Sequence, residues 1–276
     1  MGVLNVTPDS FSDGGRFDDL DHAVARVVEM LAEGASFIDV GGESTRPGAT
    51  TIDPDTECRR VLPVLDAVAP LVAAAGARLS IDTRNASTAR AAVAAGATLV
   101  NDVSASLWPV AAELGVGWVA MHMAGDPLTM QADPRYDDVV DQVRRFLVQR
   151  ATAALEAGVQ EVWVDPGIGF GKTTEHNLDL LAHLDLLVAE GFPVLVGTSR
   201  KRLTAELLAR SDAPGRGLGD LSEGLDGSPV GVDERVDASL VTATWAMVHG
   251  ARMVRAHDVS VTAQAATIVS GGFPVS

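Results

Sequence analysis

The sequence predicts an α/β protein, a (β/α)8 TIM barrel, and two observations carry that reading. Short Val-, Ile- and Leu-rich runs alternate with longer segments of three- and four-residue apolar spacing, and the pair recurs eight times along 276 residues. The short runs also lack a polar face, as expected of parallel strands covered on both sides. An open doubly wound sheet is the competing arrangement. The chain reads as a single domain over 1–276, with a flexible Gly-rich insertion at about 211–231.

Taken in order, residues 2–6 form a first strand ending near Asn5, and a polar loop carrying Phe11 follows. Leu20, Ala23, Val24, Val27, Val28 and Leu31 then set a helix over 20–33, stopped at Gly34. The same grammar predicts strands at 36–40, 78–82, 98–101, 117–121, 161–165, 193–197 and 252–255. Helices are predicted at 55–75, 85–95, 109–115, 137–157, 175–190, 199–209, 233–249 and 259–269. Gly34, Gly96, Gly158 and Gly250 each stand between a helix and the next strand, where a C-cap is needed, and are read as structural.

Composition excludes several classes of function. With 21 basic against 37 acidic residues the net charge is −16, which disfavours nonspecific binding to nucleic acid or an anionic membrane. An anionic substrate must therefore meet a local cluster of cations. A lone cysteine, Cys58, excludes an internal disulfide and fits a reducing compartment. Asp9 and Asp13 interrupt any leader-like apolar run, and Pro70 interrupts the longest apolar stretch, 67–77; a cytoplasmic location is expected.

In such a barrel, chemistry gathers at the C-terminal ends of the strands. Those ends deliver Asn5, Asp39, Asp82, Asn101, Met121 with His122, Asp165, Ser199 with Lys201, and Arg255 with His257. Amides and carboxylates there suit a flat nitrogen-rich heterocycle, and the cations Arg46, Lys172, Lys201, Arg255 and His257 suit an anionic group on the same molecule. Structural alternatives stand beside these roles: Asp82 and Asp165 as helix N-caps, and Arg255 with His257 as partners of Asp258. Gly171-Lys172-Thr173 imitates the end of a nucleotide P-loop, but the glycine required five positions before Gly171 is Pro166, so ATP binding is rejected. The six histidines are dispersed and form no zinc pattern, whereas a weakly held Mg²⁺ on an amide oxygen, waters and phosphates stays compatible.

The segments Met1–Gly15 and Asp39–Gly48 closely resemble the two signatures of the dihydropteroate synthase family. Ser80–Thr83, Val100–Asp102, Met121–Met123, Asp165–Lys172, Val196–Lys201 and Arg255–Val259 follow in family order, so the resemblance covers essentially the whole chain. It implies a TIM barrel that joins 6-hydroxymethyl-7,8-dihydropterin diphosphate to 4-aminobenzoate, releasing diphosphate. By the same resemblance Asp82, Asn101, Asp165 and Lys201 would hold the pterin, with Met121 against its ring. Asn5 would coordinate Mg²⁺; Thr45, Arg46, Arg255 and His257 would bind the diphosphate; and Phe11, Pro47, Phe170 and Lys201 would frame the aminobenzoate. Asp82, Lys201 and Arg255 would carry catalysis, and a homodimer is implied. Residues that cover the barrel base in the family are missing before the first strand, which implies either an internal start or an unusually open base. Related pterin-binding methyltransferases and a catalytically dead homologue are the competing functions.

Overall fold

Parallel pairing of eight short strands organises the computed structural model, which describes residues 1–7, 16–44, 51–125, 129–211 and 230–272. Strands β1 (Gly2–Asn5), β2 (Phe37–Gly41), β3 (Arg78–Asp82), β4 (Leu99–Asp102), β5 (Gly117–Met121) and β6 (Val162–Asp165) pair in chain order, and β7 (Leu195–Val196) pairs with β8 (Met253–Val254). Two bridges close the ring: Val164 with Val194 links β6 to the start of β7, and Gly2 with Ala256 links the end of β8 to β1. Backbone hydrogen bonds run across both joins, Val164 N to Pro193 O and Val3 N to Ala256 O, each 3.1 Å. The barrel predicted from the sequence is therefore present, and the open sheet is excluded.

The helices α1 (Arg16–Ala32), α2 (Pro54–Ala74), α3 (Ala86–Ala94), α4 (Trp108–Leu114), α5 (Val139–Glu156), α6 (Thr174–Ala182), α7 (Leu184–Val188), α8 (Arg202–Ser211), α9 (Val236–Val248) and α10 (Val259–Gly272) accompany the strands. Each capping glycine foreseen at 34, 96, 158 and 250 has φ between +95° and +108°, the left-handed region that terminates a helix at no steric cost to glycine. Helix α2 continues through Pro63 and Pro70. No helix among the described residues is long and apolar enough to cross a membrane.

Three boundaries differ from the sequence expectation. The single helix at 175–190 is two, α6 and α7, because His183 between them leaves the helical conformation, at φ −114° and ψ +30°. The helix placed at 199–209 starts only at Arg202, since Arg200 has φ +60° and cannot propagate an α-turn. Strands β7 and β8 are shorter than 193–197 and 252–255; Pro193 has no N–H for a ladder, and pairing beyond them continues as the single bridges. The proposed insertion at 211–231 lies almost entirely outside the described residues.

The barrel interior explains where the polar side chains go. Leu99, Val119, Leu195 and Met253 form a buried cluster packed by Met1, Phe37 and Trp163. Side chains alternate faces along a strand, so the residue two positions on shares that face. For six of these seven the residue two positions on is Asn101, Met121, Gly197, Arg255, Asp39 or Asp165, one step nearer the mouth. Below the cluster the Arg78 guanidinium is bidentate to Glu161 at 2.7 and 2.8 Å and stacks 4.8 Å from the Phe37 ring centroid.

Candidate active site

Strand register sets the mouth. Asn5 lies opposite Gly41, Gly41 opposite Asp82, and Asp82 opposite Asn101, while Met121 lies opposite Asp165. Four strand ends thus place an amide, a carboxylate and an amide in one row. Arg255, from the end of β8, reaches across the mouth: its Nε donates to Asp39 Oδ2 at 2.7 Å and its Nη2 to Asp82 Oδ2 at 2.8 Å. Asn101 Nδ2 donates to the same Asp39 oxygen at 2.9 Å. Asp39 is fully buried, and its Oδ1 has no hydrogen-bond partner among the described residues. Asp39, noted in the sequence only as a strand end, is thus the anchor that aims both Arg255 and Asn101.

Neither carboxylate caps a helix. Asn85 stands at the N-cap of α3 and Thr173 at that of α6. Asp165 instead accepts Gly167 N–H at 2.7 Å, and Asp258 is bidentate with Arg200 at 2.6 and 3.0 Å, not paired with Arg255. Beneath the end of β3 lies Glu57 of α2, fully buried, whose Oε2 accepts Thr83 Oγ1 (2.9 Å), Asn85 Nδ2 (2.9 Å) and Thr88 Oγ1 (2.6 Å). The sequence reading missed Glu57; its signal is a carboxylate on the apolar stripe Val61, Val64, Val68 and Val72.

Electrostatics distinguish these groups. Burial pushes the Asp82 carboxyl up to about 7, the Arg255 guanidinium opposing and Asp39 adding to the rise. Burial also raises Asp165, against the pull of Lys201 and the Gly167 amide. The Lys201 ammonium is drawn down to about 8 by burial, with Asp165 opposing. Burial works against the charge on Arg255 too, but Asp39 and Asp82 outweigh it and hold its pKa above the ordinary value. Lys201 Nζ donates to Ile168 O at 2.5 Å and lies 4.4 Å from the Phe170 ring centroid, bringing together two residues expected at the aminobenzoate site.

Lys172 and His122 face the protein rather than a ligand. The Lys172 ammonium, 2% exposed, contacts His122 Nδ1 at 2.9 Å and the carbonyls of Gly167, Phe170 and His122 at 2.9, 3.1 and 3.3 Å. Its grouping with the substrate-binding cations is corrected: its donors are consumed by the loop that contains it. Burial and the Lys172 charge press the His122 pKa down to about 3, so this imidazole is neutral and accepts at Nδ1. At the other side of the mouth Ser199 Oγ lies 3.1 Å from His257 Nδ1 and accepts His257 N–H at 3.1 Å. Phe11, Thr45, Arg46 and Pro47 lie outside the described residues. Among the described residues no group of three or more His, Cys, Asp or Glu could hold a metal ion.

Comparison with known proteins adds to this geometry. A family model described as pterin binding enzyme matches residues 1–257. The chain is 44% identical to dihydropteroate synthase of Mycobacterium leprae, over 98% of this chain and 91% of that one. The chain belongs to the dihydropteroate synthase family of pterin-binding enzymes. Among solved dihydropteroate synthases, that of Xanthomonas albilineans with 4-aminobenzoic acid matches with a TM-score of 0.84 and 42% identity, over 99% of this chain and 93% of that one. The same enzyme in complex with 7,8-dihydropteroate matches with a TM-score of 0.81 and 40% identity, over 99% and 94% of the two chains. A dihydropteroate synthase is a transferase of folate synthesis, and the barrel mouth described above is where its fold gathers polar strand ends.

Proposed function

We propose that this chain condenses 6-hydroxymethyl-7,8-dihydropterin diphosphate with 4-aminobenzoate to give 7,8-dihydropteroate and diphosphate, by dissociative substitution at the pterin methylene. The observation that carries the reading is the ion-paired set Asp39–Arg255–Asp82, aligned with Asn101 and facing Asp165 and Lys201 at the mouth of a closed barrel. Asp82, Asn101 and Asp165 present acceptors and a donor to the ring nitrogens, Lys201 donates to a ring acceptor, and Met121 packs against the ring face. Arg255 and His257, with Ser199 beside it, meet the diphosphate, and Thr45 and Arg46 join them. Phe170, Phe11, Pro47 and Lys201 enclose the aminobenzoate.

The bond from the methylene carbon to oxygen breaks first, its electron pair leaving on the diphosphate beside Arg255. The resulting cation is conjugated with the pterin ring, and the Asp82 carboxylate stabilises it electrostatically. The aniline nitrogen then donates its lone pair to the methylene, and the acidic anilinium so formed passes its proton to solvent water; no strong general base is required, because the nucleophile arrives neutral and positioned. Asn5 fits a hard cation brought in with the diphosphate, because it offers one neutral amide oxygen and leaves the remaining positions to water and phosphate. Mg²⁺ held there would supply neutralisation of the leaving group's charge.

The same reading makes the protein a cytoplasmic homodimer folded as one domain. Val241, Trp245 and Val248 on α9 and Ile268 on α10 are large apolar side chains left in solvent, between 41% and 67% exposed, which supports a covered face on these two helices. The lone cysteine supports a reducing compartment. Diphosphate release measured with each substrate alone and with both tests the function. Release is expected only with both, inhibited by a sulfonamide in competition with 4-aminobenzoate; no release at saturating Mg²⁺ overturns it.

A further inference from the structure

The loop between β6 and α6 holds three glycines in the left-handed region, Gly167, Gly169 and Gly171, at φ +65°, +83° and +65°. A stretch so rich in glycine has little intrinsic shape and loses much entropy on ordering. Yet every carbonyl from residue 167 to 171 is taken by a side-chain donor. Lys172 Nζ donates to Gly167 O and Phe170 O, Lys201 Nζ to Ile168 O, Gln131 Nε2 to Gly169 O at 2.6 Å, and Tyr136 Oη to Gly171 O at 2.8 Å. Two of these donors, Gln131 and Tyr136, come from the connection between β5 and α5, which the proposed chemistry does not otherwise use. Tyr136 is itself fixed, its ring 4.9 Å from that of His176 and 6.1 Å from that of His122.

We infer that Gln131 and Tyr136 are positioning residues for the second substrate. By pinning the carbonyls on either side of Phe170, they fix where its ring stands and where the Lys201 ammonium lies against it. They touch neither substrate; they act through the loop. The inference rests on the proposed role of Phe170 in framing the aminobenzoate. It separates the two substrates, because Asp82, Asn101 and Arg255 belong to strand ends that the loop does not support, while Asp165 and Lys201 meet the loop at Gly167 N–H and Ile168 O, neither of them a group that Gln131 or Tyr136 holds.

Tyr136→Phe removes one donor and keeps the packed ring. Gln131→Met removes the other at similar reach, and Gln131→Lys restores a donor there. Steady-state kinetics with 4-aminobenzoate, and calorimetric titration with the pterin diphosphate, read the two sites separately. Each donor loss is expected to raise the KM for 4-aminobenzoate roughly two- to tenfold, the range one hydrogen bond supports. The dissociation constant for the pterin diphosphate should stay within about twofold, a change too small for one such bond. Gln131→Lys should recover most of what Gln131→Met loses. An unchanged KM in both Tyr136→Phe and Gln131→Met, an equal loss at both sites, or no rescue by lysine overturns the inference. An unmodified enzyme that releases no diphosphate would instead sink the proposed function, and this inference with it.

Discussion

Arg255 Nη2 stands 2.8 Å from Asp82 Oδ2, so the guanidinium proposed to meet the departing diphosphate already touches the carboxylate proposed to face the pterin cation. The pair is not isolated, because Asp39 takes the other edge of the same guanidinium at 2.7 Å. Removing the Asp82 charge therefore leaves Arg255 with a partner. Asp82→Asn is expected to lower kcat by about a hundredfold or more, the scale of one lost transition-state electrostatic contact. The thermal midpoint at pH 8 should hold or rise, since an ionised carboxylate is costly at this site. Turnover and melting measured on one preparation check both.

The pH dependence follows from Asp82 and Lys201. A carboxyl raised on folding contributes stability that is fully present below its unfolded value of 3.8 and is lost as pH rises through about 7. Activity runs the other way, because the ionised carboxylate does the work. With the pterin diphosphate varied, kcat/KM should climb through about pH 7 as Asp82 ionises and fall beyond about pH 8 as Lys201 loses its proton. Asp82→Asn should abolish the rising limb; a rise that persists in that variant assigns it to another group.

Glu57 predicts a stability effect. Glu57→Ala strips the acceptor from Thr83, Asn85 and Thr88 together and leaves two buried hydroxyls and a half-buried amide unpaired. At about 1–3 kcal/mol for each unsatisfied group, a loss of about 3 kcal/mol or more is expected in a urea titration. A loss under about 1 kcal/mol would mean that the three donors find other partners.

Two glycines of similar backbone conformation should behave differently. A Cβ on Gly167 would stand 1.8 Å from His122 O, whereas one on Gly76 would meet nothing within 4 Å, although their φ values are +65° and +69°. Gly76→Ala should cost about 1–2 kcal/mol from left-handed strain alone. Gly167→Ala should cost distinctly more in the same denaturation assay and weaken 4-aminobenzoate binding, because the loop cannot close onto β5.

The covered face proposed on α9 and α10 has its own test. Val241→Glu places a charge in the patch at its most exposed apolar position, 67% exposed, and leaves in place the Trp245 Nε1 bond to Leu181 O of α6 at 2.9 Å. Sedimentation should show the dimer giving way to monomer, and an unaltered dimer would move the interface elsewhere.

Much of this was legible in the chain, for identifiable reasons. Strand ends such as Asn101 and Asp165 were readable because apolar runs stop at a polar residue. Their convergence follows from the two-residue period that puts them above Leu99 and Trp163. What stayed hidden depends on direction rather than identity. Lys172 is a cation in a polar glycine loop, and no local pattern says that its ammonium turns inward onto Gly167 and Phe170 carbonyls. Glu57 was likewise passed over, and Asp39 was read only as a strand end, because their partners come from 26 to 31 and from 62 and 216 residues away in the chain. The break at His183 rests on the backbone dihedrals of one residue, which apolar spacing does not encode.

The closing staves of the barrel are its shortest, β7 and β8 at two residues each, joined to their neighbours by single bridges. Few backbone hydrogen bonds must break for them to part, so local opening should begin there, at a lower free energy than opening of β1–β6. Lys201 and Arg255 leave from these two strands. A pterin diphosphate held by both would sew the seam shut, and amide hydrogen exchange around residues 194–197 and 252–256 should slow on binding more than in the six-stranded arc.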